Sequence, residues 1–201
     1  MVDTDVLAKR YRQLCRDKRS DIWAHLPTFY DAVVETDAQR VVELGTRYGV
    51  STIAWLHALE QTGGHLWAVD CSFPVAAPGS DVNLLDPQGP LGVVPWFTFI
   101  LGYDTWPAVL DALPSEDIDV LFLDTNHVYA ETLIELELYY PRVRAGGRIY
   151  LHDTALESTA NGPGPPFPVL TAMTEFCEDR GLRFENTNEC YGLGLIHCEG
   201  P

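Results

Sequence analysis

Val41-Val42-Glu43-Leu44-Gly45-Thr46-Arg47-Tyr48-Gly49-Val50-Ser51-Thr52 is the stretch on which the fold turns. A short apolar run, residues 40–44, leads into a turn with two glycines, and a helix-like segment, residues 51–61, opens behind it. That is the pattern of a buried strand feeding a helix. Gly45 would let the backbone approach a ligand closely, and Gly49 would permit a tight entry to the helix. The helix N-terminus offers free N–H groups and a positive dipole end, suited to a carboxylate or phosphate. Arg47 stands where Gly-x-Gly-x-x-Gly would need its middle glycine, which counts against a dinucleotide pyrophosphate site.

Outward from this turn the same alternation continues. Apolar runs at 65–69, 97–101, 119–123 and 148–151 are interleaved with helical pattern at 128–140. In the latter, Ala130, Ile134 and Leu138 share one face, with Glu131 and Glu135 on another. Buried strands alternating with helices predict a parallel sheet with right-handed crossovers. After a helix near 169–180, two strand-like runs, 182–186 and 191–198, have hairpin spacing, so the sheet should close with an antiparallel strand. Residues 3–19 read as a helix through Val6, Leu7, Tyr11, Leu14 and Cys15, and residues 21–36 as a second helix broken or kinked near Pro27. The expected class is α/β: a Rossmann-like, doubly wound, mostly parallel seven-stranded sheet with an antiparallel C-terminal hairpin strand and N-terminal helices. Residues 1–37 form the helical extension and 38–201 the main domain. Two irregular stretches, 72–96 and 155–168, fall at carboxyl ends of strands, where open α/β sheets bind ligands.

The chain has 201 residues, 13 Lys plus Arg, 29 Asp plus Glu and a formal charge of −16. This argues against nucleic acid and against anionic membranes as partners. The charge is uneven. Six bases lie in residues 1–19, whereas no Lys or Arg occurs from Tyr48 to Pro141. Most of the acids in that stretch read as solvated surface, with some available to hold a cation. The N-terminal residues lack the apolar run of a secretory signal, and no run is long enough to span a membrane. Five cysteines without a CxxC pair read as reduced thiols, and the expected location is the cytoplasm.

Acids stand at strand ends. Asp70 closes the second apolar run, where a carboxylate can accept hydrogen bonds from a ribose diol. Asp124 closes the fourth, with His127 three residues on, and His152-Asp153 closes the fifth. Adjacent parallel strands would bring Asp124 and Asp153 together. Two carboxylates so close repel unless a proton or cation sits between them, and oxygen ligands suit Mg²⁺.

The order of these features resembles the class I S-adenosylmethionine-dependent methyltransferases, and within them the small metal-dependent O-methyltransferases of the catechol type and their sugar-modifying relatives. The resemblance spans residues 38–198. It implies S-adenosylmethionine as cofactor, bound through Glu43, Gly45, Gly49, Ser51, Asp70 and Asp104. Ser51 would hold the methionine carboxylate, Asp70 the ribose, and Asp104 would lie near the adenine. An alternative role for Asp104 is to cap the helix opening near Pro107. The resemblance also implies Mg²⁺ or another divalent cation on Asp124 and Asp153, and His127 as general base. The third family ligand, an acid or Asn beside the second Asp, is replaced by His152 or Thr154, and imidazole suits Mg²⁺ poorly. The acceptor would be a small-molecule hydroxyl, with Trp96, Trp106, Tyr129 and Phe167 as candidate pocket walls. The basic N-terminal helices would cover the site or form a homodimer interface. Two other readings stay open on residues alone: a nucleotide-dependent oxidoreductase, and a non-catalytic binding protein keeping the same fold.

Overall fold

The computed structural model describes residues 4–74, 94–158 and 164–199. In chain order it runs α1 (Thr4–Leu14), a 3₁₀ turn (Trp23–His25), α2 (Leu26–Thr36), β1 (Arg40–Leu44), α3 (Val50–Thr62), β2 (His65–Asp70) and β3 (Phe97–Leu101). It continues with α4 (Pro107–Ala112), β4 (Ile118–Leu123), α5 (Tyr129–Tyr139), β5 (Val143–His152), α6 (Pro168–Arg180), β6 (Phe184–Thr187) and β7 (Leu193–Cys198). The seven strands form one sheet in the order β3-β2-β1-β4-β5-β7-β6. The first five pair in parallel, and β7 is antiparallel to both of its neighbours. The chain moves outward from β1 to β3 and then returns to β4, so the winding reverses between β1 and β4. The carboxyl ends of those two strands are where such sheets bind ligands.

Strand periodicity builds two cores. Val41, Val120, Phe122 and Tyr150 face α1, α2 and α3, while Val42, Leu44, Leu121, Leu123, Ile149 and Leu151 face α5 and α6. Alternate residues on opposite faces, both buried, are what a helix-covered parallel sheet requires. On the first face Phe29 stacks on Trp55 at 4.5 Å and meets Phe122 at 4.8 Å and Tyr150 at 6.0 Å. Leu7 and Leu14 join this core, so α1 is packed on the domain through two of the residues that gave it its helical spacing. Asp119 ties the two halves together. It accepts the backbone N–H groups of Gln39 and Arg40, both at 2.8 Å, and pairs with Arg144 Nε at 2.5 Å.

The break expected near Pro27 is present: the 3₁₀ turn Trp23–His25 precedes α2, and Pro27 lies in the first turn of α2, where its missing N–H has no helical partner to lose. Two local expectations are corrected. The inner face of α5 is Thr132, Glu135, Leu136 and Tyr139, whereas Ile134 is 49% exposed. Glu135 is buried because Thr125 Oγ1 donates to it at 2.7 Å, a partner no helical period could reveal. Strand β5 begins at Val143, well before residue 148: Val143 pairs with Ile118 and Arg148 with Val120, and the Arg-Ala-Gly-Gly residues 144–147, with a positive φ at Gly146, are accommodated as a register shift against β4. Most of the expected loop 72–96 and part of 155–168 lie outside the described residues. Among the described residues no helix is long and apolar enough to cross a membrane.

Candidate active site at the carboxyl edge of the sheet

The glycine turn is shaped first by the protein itself. Gly45 has φ +90°, and a Cβ there would overlap the Asp124 carbonyl oxygen and lie 2.7 Å from its carbon. Only glycine lets β1 cross the end of β4 this closely. Gly49, at φ 71°, caps α3 in the left-handed conformation. Glu43 is fully buried beneath α3. Ser51 Oγ and Thr52 Oγ1 each donate to its carboxyl at 2.6 Å. Burial outweighs these two hydrogen bonds and pushes Glu43 up to about 8. Ser51 Oγ is engaged by Glu43, and the first-turn N–H groups of α3 are what this turn presents to a ligand.

Asp70 holds the same turn from below. One oxygen accepts the N–H groups of Thr46 and Arg47 at 2.9 and 2.8 Å, and the other accepts Ser72 N and Oγ at 2.9 and 3.1 Å. Burial would raise its pKa, but these hydrogen bonds win and lower it, keeping the carboxylate charged. Asp104 does not cap α4, whose N-cap is Trp106. Its carbonyl accepts the Tyr139 hydroxyl at 2.7 Å, and its carboxyl meets that of Glu135. The Glu135 carboxyl lies beside it and is pushed up to about 9, first by burial and then by Asp104.

The acidic edge is more compact than strand pairing alone implies. Leu123 pairs with Leu151, so Asp124 is level with His152 and Asp153 lies one residue further. Consecutive residues of a strand point to opposite faces. Asp153 escapes this by leaving the strand at φ 61°, and both its carboxylate and the His152 ring reach Asp124. His152 Nδ1 is 3.3 Å from Asp124 Oδ1 and 3.1 Å from Asp153 Oδ2. His127, itself at φ 57°, places Nε2 2.8 Å from Asp153 Oδ2 and 3.5 Å from Asp124 Oδ1. Non-glycine residues in this region cost about 1–3 kcal/mol each and gather at functional sites.

Electrostatics follow from this packing. Burial alone would lower both histidines, but the two carboxylates outweigh it and raise His127 to about 9 and His152 to about 11. Reciprocally, the histidines overcome burial and hold Asp124 and Asp153 below the usual carboxylate range. Two imidazolium groups thus balance two carboxylates, and a divalent cation with two neutral imidazoles would give the same net charge. Donor atoms of Asp124, His152 and Asp153 lie within 4.8 Å of one another. The donor set therefore fits a divalent ion.

Two cavities meet here. One, of about 480 Å³, runs from Gly45 and Asp70 past Tyr103 and Asp104 to Glu135. The other, of about 350 Å³, lies between the glycine turn and residues 10–22, with Arg10, Asp17, Ser20, Asp21 and Tyr48 in its wall. Asp124 and Arg47 line both. Every sequence-selected site residue thus lies on or directly behind this edge. The expected walls do not: Trp96 donates its indole N–H to Leu56 O at 3.3 Å, Tyr129 bonds Glu175 on the surface, and neither Trp106 nor Phe167 lines either cavity. Tyr48 and Tyr103 take that place. Arg47 was missed as well, though its position inside the turn was a signal. It pairs with Asp21 at 3.2 Å and so joins the turn to the N-terminal segment.

Comparison with known proteins places this geometry. Residues 42–154 match the family model described as a methyltransferase domain. The chain is 26% identical over 184 residues to rhamnosyl O-methyltransferases of Mycobacterium tuberculosis and Mycobacterium bovis, covering 87% of this chain and 70% of theirs. A SAH-bound methyltransferase from Podospora anserina shares the fold with a TM-score of 0.70 at 15% identity, over 100% of this chain and 89% of that one. The O-methyltransferase TomG from Streptomyces achromogenes, solved with SAM, gives 0.60 at 18% identity, over 100% and 92%.

Proposed function

Because this chain belongs to the class I S-adenosylmethionine-dependent methyltransferases, we propose that it methylates a hydroxyl of a small molecule, assisted by a divalent cation and with His127 as general base. The observation that carries this reading is the meeting of two cavities at Asp124, within reach of His127 and Asp153. When bound, S-adenosylmethionine supplies an electrophilic methyl group and the cation supplies Lewis acidity toward the acceptor hydroxyl.

The larger cavity is assigned to the cofactor. Asp70 would hold the ribose, the α3 N-terminus the methionine carboxylate, and Asp104 would lie toward the adenine end. The smaller cavity is assigned to the acceptor. Its wall of Asp17, Ser20, Asp21 and Tyr48 offers hydroxyl-binding carboxylates and an aromatic face, which suits a sugar ring. The mycobacterial relatives named for a rhamnosyl acceptor favour the same class. Asp124 and Asp153 would hold the cation. A cation engaging these two carboxylates would leave His127 Nε2 free to take the acceptor proton. Catalysis is then mainly positioning and charge stabilisation. Family membership leaves the oxidoreductase reading without support.

The test is transfer of a labelled methyl group from S-adenosylmethionine to simple rhamnosides, with and without chelator. Chelator should abolish transfer, and re-added divalent ion should restore it. Transfer that ignores chelator would remove the cation from the mechanism while leaving the methyltransferase.

A further inference from the structure

The turn joining β6 to β7 is not used by the mechanism above, yet it is among the most constrained segments of the described chain. Cys190, Tyr191 and Gly192 have φ values of 46°, 63° and 93° in succession. A Cβ on Gly192 would overlap Thr154 Oγ1 and lie 2.5 Å from Ala155 N. Three consecutive carbonyls of this turn are each engaged by a different part of the molecule. Glu189 O accepts His25 Nε2 at 2.9 Å, from the N-terminal segment. Cys190 O accepts His152 Nε2 at 3.0 Å. Tyr191 O accepts Ala155 N at 2.6 Å, just beyond Asp153.

The middle bond has a chemical consequence. A carbonyl can only accept, so Nε2 of His152 must carry its hydrogen there. The nitrogen left facing Asp124 and Asp153 is Nδ1, on a ring only 1% exposed. The His25 ring meets the His152 ring edge-on at 5.7 Å and closes its other side. Ring orientation and tautomer of a metal-binding histidine are commonly set by such a partner on the distal nitrogen.

We propose that the Glu189–Gly192 turn presents Nδ1 of His152 as a nitrogen ligand beside the two carboxylates, so that the site takes a divalent transition ion such as Mn²⁺ in preference to Mg²⁺. This rests on the cation-assisted reading above. Imidazole nitrogen favours transition ions, whereas Mg²⁺ favours oxygen and water. Cys190 and Gly192 are positioning residues, acting through His152.

The experiment loads the full chain with Mn²⁺ and records electron spin-echo modulation from coupled nitrogen. Nitrogen modulation should be present in the native protein and should persist in His127→Gln, which removes the other imidazole in contact with the two carboxylates. It should vanish in His152→Gln. Gly192→Ala, which displaces the turn, should weaken Mn²⁺ binding about 10–100-fold. Competition should favour Mn²⁺ over Mg²⁺ by at least tenfold more in the native chain than in His152→Asp. Should the buried His152 variants fail to fold, His127→Gln alone decides. Mn²⁺ bound without nitrogen modulation in that variant overturns this inference and leaves the cation reading intact. Failure of the folded native chain to bind Mn²⁺ or Mg²⁺ overturns both.

Discussion

Gly45→Ala isolates the contact on which the site is built. The added Cβ would overlap the Asp124 carbonyl oxygen and lie 2.7 Å from its carbon, against a normal contact of 3.4 Å or more. Backbone cannot swing aside as a flexible side chain can, so β1 and β4 must separate locally. One hydrogen bond spans this crossing, Asp124 N to Leu44 O at 2.8 Å. Weakening it costs about 1 kcal/mol. Overpacking adds roughly 1–3 kcal/mol, and a left-handed alanine about 1–2 kcal/mol. The total of about 3–6 kcal/mol rivals the whole stability of many domains. Gly63→Ala is the internal control. It has φ +75° but nothing within 4 Å of the new Cβ, so only the backbone penalty applies. Urea unfolding followed by circular dichroism should show Gly63→Ala losing about 1–2 kcal/mol and Gly45→Ala about 2–4 kcal/mol more, with cofactor binding lost. Equal losses in the two variants would refute the claim that Gly45 is there for the Asp124 crossing.

Glu43 is held neutral by burial, its pKa raised above the ordinary value of 4.5 to about 8. The stability this group contributes is present below pH 4.5 and is lost as pH rises toward 8, at up to about 1.4 kcal/mol per pH unit. Relative to Glu43→Gln, the native chain should therefore weaken steadily between pH 5 and 8 in thermal melts; parallel curves would show the carboxyl is not strained. Asp70→Asn replaces an acceptor oxygen with an N–H₂ aimed at backbone donors. It should lower stability by about 1–3 kcal/mol and reduce cofactor affinity at least tenfold by calorimetry, and an unchanged affinity would exclude Asp70 from the cofactor site. His127→Gln should lower kcat by about 10²–10⁴-fold while leaving cofactor affinity within a few-fold; an equal loss in both would mark His127 as a binding group.

The sheet was legible because its strands are short, apolar and β-branched and its helices follow at regular spacing. Arg40–Leu44 and Phe97–Leu101 have the bounds read from pattern alone. What pattern could not convey was any buried polar group satisfied across the fold. Glu135 reads as surface until Thr125 is known to reach it. Asp119 reads as one more acid of the base-free stretch until Arg144 and two backbone N–H groups converge on it. The site itself was visible as acids at strand ends, since parallel register forces neighbours together. Hidden were the left-handed residues at positions 127 and 153, which depend on tertiary packing rather than composition. The walls were misassigned because aromatic identity does not say which side of a strand faces a cavity. Arg47, inside the glycine turn, joins the N-terminal segment to the carboxyl edge of the sheet.

The most direct test of the account is a calorimetric titration of S-adenosylmethionine into the folded native chain and into Asp70→Ala. One equivalent should bind the native chain, with affinity reduced at least tenfold in the variant. Absence of binding to a native chain that melts cooperatively would contradict the assignment of this sheet edge to the cofactor, and with it the proposed reaction.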